Sequence, residues 1–203
     1  EDGLIGLMFG NTPKAIPPWG GTQALFGTNP IAFASPRDSA VPLVIDMSLS
    51  KVARGKVMVA NQLNEKIPED WAIDKDGKPT TDAKKALEGA MLPIGDAKGS
   101  ALALMVEVLA AGLTGSNFGF EASSFLNAEG DAPGVGQLII AIDPSFFSGE
   151  SFGERTETLV GAVLEQPGTR LPGDKRIEKR KVREKSETIT ISKDLYEKIE
   201  LLT

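Results

Sequence analysis

Lys98 is the residue whose surroundings most invite chemistry. It lies in Gly95-Asp96-Ala97-Lys98-Gly99-Ser100, directly ahead of the apolar run 101–113. A lysine at a glycine-flanked helix start puts a cation and free backbone N–H groups in one place, which suits an anionic ligand. The same window also reads as a loop lysine in water. Asp46-Met47-Ser48 is a second candidate. It closes the apolar run Pro42-Leu43-Val44-Ile45, and an acid at the carboxyl end of a buried strand lies where open α/β sheets place ligands. Ser48 or Ser50 would cap a following helix, and a capping or solvated aspartate is the alternative reading. A third candidate is Pro172-Gly173-Asp174-Lys175-Arg176. It sits inside residues 170–185, which hold eight basic and three acidic side chains. Such a run is usually a solvated stretch; the sharper reading has Lys175 or Arg176 meeting a phosphate.

What the chain lacks narrows the chemistry further. Its 203 residues contain no histidine and no cysteine. Imidazole acid–base chemistry cannot be complete in these residues, and thiol chemistry and disulfides are excluded. Cysteine-free composition fits a cytoplasmic protein. The net charge of −6 argues against a general nucleic-acid partner. No apolar run is long enough for a bilayer span, so no membrane partner is expected. Asp74 and Asp76 suggest calcium, but the rest of the required loop pattern is missing, and no metal site is predicted. The chain opens at Glu1-Asp2 and enters an apolar segment at once, which suggests part of a longer polypeptide.

The elements that must position these residues follow from periodicity. Strands are expected at 4–9, 31–34, 42–47, 136–142 and 188–191. Helices are expected at 50–61, from a Thr81 or Asp82 cap to Leu87, at 101–113, at 151–165, and from a Ser192 cap to the end with Leu195, Ile199 and Leu202 inward. The 101–113 helix is apolar nearly all round, which predicts burial on every side. Residues 14–30 read as an ordered loop and 74–79 as a tight turn. Strands alternating with helices imply an α/β layered domain. No G-x-G-x-x-G follows the first strand, so the usual Rossmann fingerprint is absent.

Seven motifs stand in order along the chain. They are Gly20-Gly21; Gly27-Thr28-Asn29-Pro30-Ile31-Ala32-Phe33-Ala34; Asp46-Met47-Ser48; Gly55-Lys56; Pro68-Glu69-Asp70-Trp71-Ala72-Ile73-Asp74; Gly77-Lys78-Pro79-Thr80-Thr81-Asp82; and Leu92-Pro93 through Lys98-Gly99. Together they resemble the malate/L-lactate dehydrogenase family, which is not built on the Rossmann fold. Its members include malate, sulfolactate and ureidoglycolate dehydrogenases and reductases of diketogulonate and cyclic imino acids. The resemblance implies a three-layer α/β/α fold with a mixed sheet, here incomplete at the amino terminus. It implies a homodimer and NAD- or NADP-dependent hydride transfer between a small 2-hydroxy carboxylate and its 2-oxo partner. Residues 1–203 would form a partial dehydrogenase domain, an NAD(P)-binding core with a carboxy-terminal strand and helix. By resemblance, cofactor positions fall at Thr12, Asp46, Met47, Ser48 and Lys98, at Arg155 and Thr156, and along Gly173, Asp174, Lys175, Arg176, Ile177 and Glu178.

No catalytic residue is assigned in this chain. The family's catalytic histidine and a substrate-binding arginine belong to an amino-terminal segment that these residues do not include, so the chain alone should be inactive. Some members carry a substrate-contacting arginine where Pro133 stands here, which argues against ureidoglycolate. The competing readings are a catalytically inactive truncated paralogue, acting as a nucleotide-binding or dimer-partner module, and a plain structural module. Without its missing partner segment, the apolar surface of 4–9 and 101–113 should be left uncovered.

Overall fold

The computed structural model describes residues 2–38, 41–127, 129–186, 188–191 and 193–201. The chain forms two compact units, residues 1–154 and 155–203. In the first, strands β1 (Ile5–Gly10), β2 (Ile31–Ser35) and β3 (Leu43–Met47) are followed by helix α1 (Arg54–Leu63). Then come β4 (Ala72–Ile73), α2 (Ala83–Glu88), β5 (Ala90–Met91) and α3 (Ala97–Val106). A π-helical segment, Glu107–Gly112, continues α3 without a break, and β6 (Gln137–Ile142) and the short α4 (Ser145–Ser148) follow. Helix α5 (Ser151–Leu164) crosses the boundary into the second unit, which contains α6 (Asp174–Glu184) and α7 (Lys193–Glu200).

The main sheet has the order β3-β2-β1-β6, and β4 pairs with β5 in a small second sheet. The α/β class is as expected. Every described strand pair is antiparallel, so the parallel component of a mixed sheet is not among the described residues. The register sets Leu7 between Phe33 and Ile140, and Phe9 between Ile31 and Leu138. Side chains alternate across a strand, so these residues share one face. Leu7, Phe9, Ile31 and Leu138 pack on a core built from Ile16, Leu49, Val57, Met91 and Val106. The opposite face carries Met8 and Ile139, and Ile139 is 67% exposed.

Several expectations need correction. Strand 42–47 is not buried: β3 is a sheet edge, and Asp46 and Met47 at its end are exposed. Helix α1 starts at Arg54 rather than residue 50, and neither Ser48 nor Ser50 caps it; Ala53 holds the cap position without a side-chain bond. Ser50 instead donates to the Val52 carbonyl at 2.8 Å, closing a tight local turn that delays the helix. The basic stretch is solvated, as its usual reading has it, but helical from Asp174, with Arg180–Glu184 (2.8 Å) an i,i+4 pair along it. Residues 188–191 form no strand. Alternating apolar residues become a strand only beside a partner that takes their backbone bonds, and Ile189 is 79% exposed. The Ser192 cap and Leu202 lie outside the described residues.

The 101–113 helix is the largest departure. It is not buried all round. Small and medium residues face inward (Gly99, Ser100, Ala103, Val106, Ala110 and Ala111), while Leu104 is 52% and Val108 57% exposed. The uncovered apolar surface expected on this helix is present. Its one acid, Glu107, is buried, 3% exposed. The carboxylate takes four donors. Gly27 N–H (3.1 Å) and the Asn29 side-chain amide (2.9 Å) reach Oε1. Gly119 N–H (3.0 Å) and the Asn11 side-chain amide (3.3 Å) reach Oε2.

Local capping behaves as read. Asp82 accepts from Lys84 N–H (2.9 Å) and Lys85 N–H (3.1 Å) at the start of α2. In the 74–79 turn, Asp74 Oδ1 accepts from Lys78 and Asp76 N–H, both at 2.9 Å. Those backbone bonds, that from Lys78 first, hold the Asp74 carboxyl below its ordinary value.

Two predictions follow from this fold. A buried donor left without an acceptor costs about 1–3 kcal/mol, and Glu107 serves four. Glu107→Leu is therefore expected to lower the unfolding free energy by at least about 3 kcal/mol in urea titration; an unchanged midpoint would contradict this account. Asp74 has a depressed folded pKa, so what it adds to stability is complete above the ordinary aspartate value and is lost as pH falls through the folded one. NMR titration should find its carboxyl transition below that of an unstructured aspartate, and Asp74→Ala should flatten the acid limb of the pH–stability curve.

Candidate functional site

In the first unit, backbone and side-chain hydrogen bonds link the segments that carry three of the candidate stretches. Thr12 follows β1, and its hydroxyl accepts from Thr28 N–H at 2.9 Å. Its own N–H donates to the Asn29 side-chain carbonyl at 3.3 Å. The Thr28 carbonyl then accepts from Leu49 N–H at 2.7 Å, directly after Ser48. The Leu49 carbonyl accepts from Ile94 N–H at 2.8 Å, and Lys51 N–H donates to Leu92 at 2.8 Å. Residues 92–94 lead into α3, where Lys98 lies in the first turn. Hydrogen bonds thus run from Thr12 through Thr28 and Leu49, next to Ser48, to Ile94, four residues ahead of Lys98.

Each member has a distinct setting. Asp46 and Met47 are exposed on the edge strand, opposite Ala32 and Ile31. Ser48 shares a 3.1 Å hydroxyl contact with Ser50. Lys98 is exposed, and its N–H donates to the Gly95 carbonyl at 3.2 Å. The helix entry is fixed from below: Lys51 pairs with Asp70 at 3.3 Å and approaches Asp96 at 3.9 Å. A Cβ at Gly99 would stand 1.9 Å from the Ile94 carbonyl oxygen, so only glycine lets α3 start here.

The remaining candidates belong to the second unit. Arg155 is exposed and Thr156 half-buried on α5. Gly173 precedes α6 with φ of 87°, and Asp174 accepts from Leu171 N–H at 2.8 Å. Lys175, Arg176 and Glu178 are exposed and Ile177 is half-buried. Lys175, Arg176, Lys179, Arg180 and Arg183 line an open surface groove of about 610 Å³ on α6.

Four residues that hold or line this region went unread in the sequence. Glu107 and Asn29 hold the loop that carries Thr12 and Thr28. The lone acid in an otherwise apolar helix was the available signal for Glu107. Lys14 and Arg54 line a cavity of about 400 Å³ together with Thr12, Thr28, Ser124 and Phe125. Neither had a sequence signal, since their convergence depends on α1 meeting the loop after β1. Among the described residues, no group of three metal-ligating side chains is found, and no helix is long and apolar enough to cross a membrane.

Comparison with known proteins places this arrangement. The family model for malate/L-lactate dehydrogenase matches residues 1–200. A (2R)-3-sulfolactate dehydrogenase (NADP(+)) from Chromohalobacter salexigens is 54% identical over 199 residues, covering 98% of this chain and 59% of that protein. A Δ1-pyrroline-2-carboxylate/Δ1-piperideine-2-carboxylate reductase from Pseudomonas putida is 42% identical over 203 residues, covering 100% and 60%. Among solved structures, Δ1-piperideine-2-carboxylate reductase from Pseudomonas syringae pv. tomato matches with a TM-score of 0.88 at 41% identity, covering 99% of this chain and 60% of that one. The chain therefore spans about 60% of the length of the relatives it matches. With the family model covering nearly all of it, the chain belongs to the malate/L-lactate dehydrogenase family.

Proposed function

We propose that the protein carrying this chain is an NAD(P)-dependent oxidoreductase that interconverts a small 2-hydroxy acid and its 2-oxo acid, with sulfolactate-like acids first in line. These residues supply its cofactor-binding part. The observation that carries the proposal is the hydrogen-bonded path through Thr12, Thr28, Ser48–Leu49 and Ile94 to the helix of Lys98. It runs next to Thr12, Ser48 and Lys98, which the family resemblance marks for the cofactor. The identity to the sulfolactate dehydrogenase supports NADP and this substrate class. The likeness to cyclic-imine carboxylate reductases supports a second reading, in which the substrate is a cyclic imino acid. Both substrates are small carboxylates.

The residues of each unit, taken by itself, fit contact with part of a dinucleotide. Lys98 offers a positive charge at an open helix start, suited to a pyrophosphate or a ribose hydroxyl. Asp46 is an exposed acceptor for ribose or carboxamide groups. In the second unit, Gly173 lets backbone come close, and Lys175 and Arg176 offer charge to phosphate. Arg155 and Thr156 complete the assigned set. The nicotinamide, when bound, supplies or takes the hydride. The paired proton must come from a group near neutral pKa, and no imidazole is available in these residues. Within the proposal, residues 1–203 are part of one dehydrogenase domain, the protein is a cytoplasmic homodimer, and the chain by itself turns nothing over.

Two experiments examine this reading. Fluorescence titration of the full polypeptide with NADPH should show Lys98→Ala raising the Kd by roughly tenfold, the loss of about one charge-assisted bond. Unchanged affinity would remove Lys98 from the cofactor site. The purified 203-residue chain, assayed with sulfolactate, malate and lactate and both cofactors, should show no turnover. Measurable activity would overturn the need for a group outside these residues.

A further inference from the structure

Glu107 is buried, and among the described residues no ion pair reaches it. A carboxylate drawn from water without a cation is costly, and apolar packing in place of a buried polar network is often no less stable. Stability alone therefore gives no reason for an acid in this apolar helix. The identity of its donors gives one. Thr12 follows Asn11, and Thr28 stands between Gly27 and Asn29. Asn11, Gly27 and Asn29 are three of the four groups that donate to Glu107.

Asn29 carries the constraint furthest. Its amide nitrogen donates to Glu107 Oε1 at 2.9 Å and to the Ala103 carbonyl at 3.0 Å. That fixes the amide plane and turns its oxygen to Thr12 N–H, at 3.3 Å. On the other side, the Asn11 amide nitrogen is shared between Glu107 and the Asn117 carbonyl, at 2.8 Å. Thr28 N–H then donates to Thr12 Oγ1 at 2.9 Å, and the two hydroxyl oxygens lie 3.3 Å apart. Their mutual bond uses one of the pair's two hydroxyl protons and leaves the other for an acceptor atom of a ligand.

We infer that Glu107 is a positioning residue: through Asn11, Gly27 and Asn29 it fixes the direction in which the Thr12–Thr28 hydroxyl pair presents its remaining proton to a ligand that Glu107 itself never touches. The inference rests on the functional reading above for the ligand, the cofactor that Thr12 is marked to meet. An acid suits the task because both of its oxygens accept. Glutamine, of the same shape, has one oxygen and an NH₂ group, and sets a donor against donors on one side.

The experiment uses Glu107→Gln, Thr12→Val and the double variant in the full polypeptide. Native-state amide hydrogen exchange is followed first, without ligand. In Glu107→Gln, Thr12 and Thr28 N–H should lose protection roughly tenfold or more, while the β1–β2 ladder amides keep theirs. Unchanged protection at both threonines, or a uniform loss across the ladder, would overturn the inference. Should Glu107→Gln not fold, Asn29→Gly keeps the left-handed backbone and should loosen Thr12 N–H alone; unchanged Thr12 protection there would overturn it equally. NADPH titration follows. Glu107→Gln and Thr12→Val should each weaken binding severalfold, and the double variant should lose little more than either, because both act through the same hydroxyl pair. Additive losses, or an affinity that Glu107→Gln leaves unchanged, would overturn the positioning role. If wild type binds no dinucleotide, the dehydrogenase reading falls, while the exchange rates still decide whether Glu107 holds the pair.

Discussion

The Glu107 carboxylate is the interaction on which the first unit depends. Its donors come from residues 11, 27, 29 and 119, four points on three separate loop segments. A buried charge is tolerated only when its oxygens are fully served, and here each oxygen has two donors. The approach is close enough to dictate residue type. A Cβ at Gly27 would stand 2.2 Å from the Thr12 carbonyl oxygen, and one at Gly119 would stand 2.9 Å from Glu107 Oε1. At these two glycines the backbone itself reaches the carboxylate, and the side-chain amides of Asn11 and Asn29 supply the other two donors.

From that point, order passes outward to the site. Asn29 donates to Glu107 and to the Ala103 carbonyl at 3.0 Å, and accepts from Thr12 N–H. It also adopts a left-handed φ of 42°, which asparagine tolerates better than most residues. Asn11 binds Glu107 on one side and Gly136 N–H, at 2.8 Å, on the other, tying the entry of β6 to the exit of β1. Thr12 and Thr28 are thus held by an interior charge rather than by their own loop. Side chains held this way have little conformational freedom left to lose.

The sequence was readable where the determining forces are local. The Asp82 cap, the Asp74 turn and strands β1, β2 and β6 all follow from neighbours within a few residues or from simple alternation. It was misleading where the outcome depends on what lies opposite. The 101–113 helix has apolar residues on every face, so its sequence holds no directional signal, and only the tertiary fold decides that Ala103, Val106 and Glu107 point inward. Strand β3 is apolar enough for a core but lies at the sheet edge. Residues 188–191 have the alternation of a strand without a partner to form one. Motif order singled out Thr12, Asp46–Ser48 and Lys98 but gave no sign of Arg54 and Lys14, whose place on one cavity is a product of packing.

The π-helical segment explains how a charge and a close backbone contact share one short stretch. The wider turn shows in the Leu113 N–H bond to the Val108 carbonyl at 2.8 Å, and Ala110 and Ala111 are both buried beside Val106 and Glu107. A Cβ at Gly136 would stand 1.9 Å from the Ala110 carbonyl oxygen, so the strand entry and the helix meet backbone to backbone. The interior around Glu107 is therefore saturated: small residues, short contacts and every oxygen occupied. Arg54 is its counterpart, a guanidinium drawn from water with a buried donor left over. One group is satisfied by the chain itself. The other is half-buried, with Nη2 bonded to the Leu87 carbonyl and Nε left without a partner.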